Sequence, residues 1–223
     1  ELSEELKNKK GFIFDLDGTI YIGEDPIPGA KEFISKVQSK NLTVKFISNN
    51  SSKNKTEYSE KLQSQGIIVD NEQIILSTDI AIQVLNKQKL SNGYIVGTNS
   101  MVNILKNNNI YHNEVNPEFV LIGYDTEVNY DKLSKASLFI NSGLPYYATH
   151  ADNYCPTPEG PIPDAGALIE LFKAATNRVP LILGKPEGAI IDFIIKDNNE
   201  IKDFVFIGDR LRTAFDMCKN TGL

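Results

Sequence analysis

The 223-residue sequence is poor in cysteine, lacks a surplus of positive charge and has no long apolar run. Its two cysteines, Cys155 and Cys218, lie far apart and match no metal-ligand spacing. That excludes a disulfide-stapled scaffold and points to free thiols in a reducing compartment. Lysine and arginine total 23 against 29 acids, a net charge of −6. That balance argues against nucleic acid as the main partner, which needs clustered positive charge. A small phosphorylated ligand needs only local positive charge and stays open. No apolar stretch approaches the ~20 residues of a membrane span, so no membrane partner is expected. Residues 1–10 are charged throughout, unlike a signal peptide. No short repeat or low-complexity tract appears. The expectation is a cytoplasmic protein of one or two domains, with 41% hydrophobic residues to build the core.

What is present begins with Gly11-Phe12-Ile13-Phe14-Asp15-Leu16-Asp17-Gly18-Thr19. An apolar run of this kind reads as a buried parallel strand, and here it ends in two carboxylates one residue apart. Ligands of open α/β sheets bind outside the carboxyl ends of the strands. Two close acids repel unless a cation or proton lies between them. Downstream, Ala30, Phe33, Ile34 and Val37 have the spacing of an amphipathic helix. Residues 42–47 read as a second strand, 53–65 as a polar helix, and 67–69 and 74–76 as short strand pieces. From about Thr78 the pattern restarts, with helices over 79–88, 101–106 and 130–141 and strands over 94–97, 119–123 and 146–149. A Pro- and Gly-rich loop over 154–166 leads to a helix over 167–176. A strand over 181–184, a helix over 187–196 and a strand over 204–208 resume the first style. The order predicts an α/β fold: a Rossmann-like parallel-sheet core, residues 1–78 plus 177–223, interrupted by a smaller α/β cap, residues 79–176.

Four segments lie where a core strand hands over to a loop: Asp15-Leu16-Asp17-Gly18-Thr19, Ser48-Asn49-Asn50, Gly184-Lys185-Pro186 and Gly208-Asp209-Arg210. Together they offer three carboxylates, a hydroxyl with backbone N–H groups, and an ammonium. Carboxylates suit a hard cation such as Mg²⁺. Lys185 suits a phosphate as a point charge, and a helix N-terminus after Ser48 suits phosphate oxygens. Each residue also has a plain structural reading. Ser48 and Asp209 can be helix caps, Lys185 a surface lysine, Asp164 a turn or cap acid, and His150 a buried structural histidine.

In this order the four segments resemble the motifs of the haloacid dehalogenase superfamily, in the branch with an α/β cap between the second and third motifs. Branch-typical pieces extend the resemblance over nearly the whole chain: Ile47-Ser48-Asn49-Asn50-Ser51, Ala148-Thr149-His150-Ala151-Asp152, Cys155-Pro156-Thr157, Pro163-Asp164-Ala165-Gly166-Ala167 and Gly208-Asp209-Arg210-Leu211. The resemblance implies a phosphatase of small phosphomonoesters. Asp15 would be the nucleophile and Asp17 the general acid and base. Asp15, the Asp17 carbonyl and Asp209 would hold Mg²⁺. Ser48 and Asn49 would bind phosphoryl oxygens, Lys185 would balance charge between Asp15 and phosphate, and Asp164 would face the leaving group. Hinges near 77–79 and 176–180 would let the cap close, and caps of this branch often contribute to homodimers.

The chain departs from the pattern at Ala214, where the fourth motif usually carries a second acid, and at His150, usually an asparagine. Thr221-Gly222-Leu223 falls where a further strand is expected. Ala214 motivates an alternative reading, a catalytically weak phosphate-ligand-binding protein on the same scaffold.

Overall fold

A computed structural model of the chain describes Leu6, residues 8–184 and 201–209, and Lys219. Along the chain, β1 (Gly11–Asp15) is followed by β2 (Tyr21–Ile22), β3 (Asp25–Pro26), α1 (Ala30–Gln38), β4 (Thr43–Ser48), α2 (Lys55–Ser64) and β5 (Ile74–Leu76). Next come α3 (Ser77–Lys87), β6 (Asn92–Val96), α4 (Asn99–Asn107), β7 (Tyr111–His112), β8 (Phe119–Ile122), α5 (Tyr130–Asn141) and β9 (Tyr146–Ala148). The remainder is β10 (Tyr154–Thr157), β11 (Gly160–Pro163), α6 (Ala165–Thr176), β12 (Leu181–Ile182) and β13 (Phe204–Ile207).

The fold is α/β, with two parallel sheets. The first has strand order β13-β1-β4-β5, every pairing parallel. The second has order β12-β9-β8-β6-β7, also wholly parallel. It is built from the chain between β5 and β13. β1 is central and buried on both faces, which explains its unbroken apolar run. Phe12, Phe14 and Phe46 stack along the first sheet, with Phe33 of α1 edge-on to Phe12 and Phe14. Ile34 and Val37 bury the stripe that α1 carries. α2 has few apolar residues and starts on a capping box: Asn54 accepts from the Glu57 N–H at 3.0 Å, and Glu57 accepts from the Asn54 N–H at 2.7 Å. The second sheet buries one cluster on each face, one around Leu105, Phe119 and Leu121, the other around Val120, Ile140 and Phe172.

Three expectations need correction. Residues 67–69 form no strand: Ile67 and Val69 bury their side chains beneath α2 without pairing. The Pro- and Gly-rich stretch is not a loop, because β10 and β11 pair as an antiparallel hairpin from Tyr154↔Pro163 to Thr157↔Gly160. Leu181 and Ile182 do not resume the first sheet; they pair with Tyr147 and Ala148 at the edge of the second. The expected helix over 187–196, with Lys185, Ala214 and Cys218, lies outside the described residues.

Candidate active site

The site is assembled at the carboxyl ends of β1, β4 and β13. Phe14 pairs with Ile207 and Asp15 with Ile47, so Asp15, Ser48 and Gly208 emerge side by side. A Cβ built on Gly208 would lie 3.5 Å from the Asp15 Cβ. The turn after Asp17 brings Asp209 in as well. Gly18 has φ +90°, and a Cβ there would lie 2.6 Å from the Asp209 Cγ. Only glycine allows both that backbone and that approach. The structure therefore brings Asp15, Asp17, Ser48 and Asp209 together.

The electrostatics follow from this crowding. Burial, and then the Asp15 charge, hold the Asp17 carboxyl above its ordinary range; Lys61, Ser48 and Lys53 offset part of the effect. Ser48 is buried, donates to Asp17 Oδ2 at 3.3 Å and accepts from the Asn50 backbone N–H at 3.1 Å. Tyr21 and Tyr58 lie nearby, and burial followed by the Asp17 charge raises both phenols. The hydroxyls of Thr19 and Tyr21 are buried without a hydrogen-bond partner among the described residues. Sequence reasoning missed this tyrosine pair, because Tyr21 falls in a stretch that reads as a loop and Tyr58 on a helix that reads as polar.

Two hairpins border the site. Lys61 of α2 pins the hairpin β2–β3: it donates to the Gly23 carbonyl, pairs with Glu24 at 3.3 Å and sits 3.8 Å above the Tyr21 ring. Gly23, with φ +58°, approaches the hairpin β10–β11, since a Cβ there would lie 2.8 Å from Pro158 Cδ. Cys155 of β10 and Asp164 contribute, after burial, to raising the Tyr124 phenol.

The remaining predicted residues are placed as follows. Asn49 is buried and donates from Nδ2 to Asp152 Oδ2 at 3.0 Å. Asp164 is the N-cap of α6; its Oδ1 accepts from the Ala165 N–H at 2.6 Å and lies 2.8 Å from His150 Nε2. His150 is fully buried, with Nδ1 2.8 Å from Thr149 Oγ1. Lys185 is outside the described residues.

Two groups could hold a cation. The carboxylates of Asp15 and Asp209 and the backbone carbonyl of Asp17 are hard oxygen donors, and the upward push on the Asp17 carboxyl from Asp15 is the repulsion a divalent ion would relieve, so they fit such an ion. His150, Asp152 and Asp164 also offer ligand atoms within 4.8 Å of one another. The same side chains are already engaged with one another or with neighbours: His150 with Thr149 and Asp164, Asp152 with Asn49, and Asp164 with the Ala165 N–H. This second cluster was not anticipated, because Asp164 comes to His150 only when the hairpin β10–β11 folds back.

Residues 12–111 match the family model described as haloacid dehalogenase-like hydrolase. An acid sugar phosphatase of Staphylococcus haemolyticus is 30% identical over 223 residues, covering 98% of this chain and 84% of that protein. The 5'-nucleotidase YutF of Bacillus subtilis is 28% identical over 220 residues, covering 98% of this chain and 86% of that protein. The crystal structure of a 4-nitrophenylphosphatase from Thermotoga maritima superposes with a TM-score of 0.93 at 33% identity, covering 99% of this chain and 86% of that one. With the acids of its first and last described core segments meeting at one strand end, and with relatives matched along nearly its whole length, the chain belongs to the haloacid dehalogenase-like hydrolases.

Proposed function

We propose that this chain is a Mg²⁺-dependent phosphatase of small phosphomonoesters that works through an aspartyl-phosphate. The observation that carries the reading is the convergence of Asp15, Asp17 and Asp209 at the end of β1. Relatives named for sugar phosphates, nucleotides and 4-nitrophenyl phosphate support the substrate class. Asp15, the Asp17 carbonyl and Asp209 would hold the ion, which when bound offsets the negative charge shared by carboxylates and phosphate. An Asp15 carboxylate oxygen attacks phosphorus, and the bond from phosphorus to the ester oxygen breaks. Asp17, whose carboxyl burial and then Asp15 hold above its ordinary range, would give a proton to the departing alcohol. It then takes a proton from the water that attacks phosphorus, and the Asp15–phosphorus bond breaks to release inorganic phosphate. Ser48, Asn49 and the N–H groups of that loop would bind the phosphoryl oxygens, with Lys185 balancing charge and Asp164 on the leaving-group side. The domain division, 1–78 plus 177–223 as core and 79–176 as cap, belongs to the same proposal. The pairing of Leu181 and Ile182 carries the second sheet a few residues past its end.

The test is p-nitrophenyl phosphate hydrolysis with Mg²⁺. The wild-type chain is expected to turn over, and Asp15→Asn to lose roughly a thousandfold or more in kcat. Phosphate binding without turnover in the wild type would favour the weak binding-protein reading instead.

A further inference from the structure

The loop after β4 is held from the second α/β unit. The Asn49 side chain, 8% exposed, donates to Asp152 Oδ2 at 3.0 Å across 103 positions of sequence. The Asn49 carbonyl accepts from Ser77 Oγ at 2.6 Å, at the start of α3. Ser51 is fully buried; its Oγ accepts from the Tyr124 backbone N–H at 2.8 Å and lies 3.3 Å from Thr149 Oγ1. Thr98 Oγ1 donates to the Ser52 carbonyl at 3.1 Å. Thr98, Tyr124 and Thr149 follow the carboxyl ends of β6, β8 and β9. The loop therefore leaves one parallel sheet at Ser48 and rests on the carboxyl edge of the other. The Asn49 amide has one workable orientation here, because turning it over would set Oδ1 against the Asp152 carboxylate.

We propose that Asp152 is a positioning residue for phosphate: by gripping the Asn49 amide it fixes the loop 48–52, so the second unit sets phosphate affinity without touching the ligand. The inference rests on the loop being the phosphate site, as under the proposed function. A bond from an amide to a carboxylate is charge-assisted and directional, which suits it to holding a short loop in one place. Removing the acceptor frees the amide and lets the loop sample positions in which its donors no longer converge.

The experiment measures, on the full chain with Mg²⁺, the inhibition constant of inorganic phosphate together with KM and kcat for p-nitrophenyl phosphate. In Asp152→Ala the inhibition constant and KM are expected to rise about tenfold with kcat changed far less, the effect of one charge-assisted hydrogen bond. Asp152→Asn keeps an oxygen that accepts from Asn49 and is expected to recover most of the affinity. Should Asp152→Ala not fold, Asp152→Ser, too short to reach Asn49, takes its place with the same expected outcome. An unchanged inhibition constant in the Ala or Ser variant overturns the inference. So does an equal fall of kcat in all variants with KM constant, which marks a merely structural role. A wild-type chain that neither hydrolyses the ester nor binds phosphate overturns the functional reading, and this inference with it.

Discussion

Asp17 shows how one residue can be costly to the fold and useful at the site. Burial and the neighbouring Asp15 hold its folded carboxyl above the ordinary value of 3.8. The folded state therefore keeps its proton to higher pH than the unfolded chain does. The resulting stability is complete below the ordinary carboxyl range and is lost as pH rises through the folded value. Asp17→Asn cannot ionise. Without divalent cations, its Tm is expected to gain on the wild type as pH rises from the acid range toward neutrality. Thermal melts at stepped pH check this, and a gap that narrows over that range contradicts it. The meeting of Asp15, Asp17 and Asp209 was legible in the sequence because each lies at, or within two residues of, the end of an apolar strand. Asp152 was not, because its partner Asn49 lies 103 residues away and nothing local marks the pairing.

At the scale of elements, strands and helices with a strong apolar period were readable. The helix over 130–141 coincides with α5, and β1 and β8 fall where their apolar runs are. Short pieces were not. Residues 67–69 look like a strand, but two apolar residues can be buried without pairing. The hairpin β10–β11 carries Pro156, Pro161 and Pro163, which argue against a strand by composition. A two-stranded hairpin has no second neighbour to satisfy, so prolines on it are tolerated. The hairpin β2–β3 is equally short and depends on Lys61 for its place. Lys61→Met keeps the apolar stem and removes the ammonium. The variant is expected to lose about 1 kcal/mol of stability, the worth of a carbonyl hydrogen bond and a partly exposed cation–π contact. It is also expected to raise KM, because the hairpin beside Asp17 loosens. Urea unfolding and steady-state kinetics measure the two effects.

Across the whole molecule, the two parallel units are joined by more than the chain that connects them. Ser51 belongs to the loop after a strand of the first sheet, yet its hydroxyl accepts from the Tyr124 N–H beyond β8 of the second, in a fully buried position. The Ser77 and Thr98 hydroxyls bind carbonyls of the same loop. The expected hinge near 77–79 is therefore tied to the loop through Ser77, and a cap pivoting there would carry the loop with it. Buried polar contacts of this kind cannot be exchanged for water one at a time, so breaking one weakens the joint between the units. Ser51→Ala leaves the Tyr124 N–H buried without its acceptor. That is expected to cost about 1–3 kcal/mol, the desolvation penalty of an unmet donor. Because the lost bond spans both units, the loss should appear equally in probes of each. Urea unfolding followed by amide exchange at β1 and at β8 is expected to shift to lower denaturant at both strands together. A shift confined to one strand would mean that the units unfold independently and that Ser51 serves only the one in which it resides.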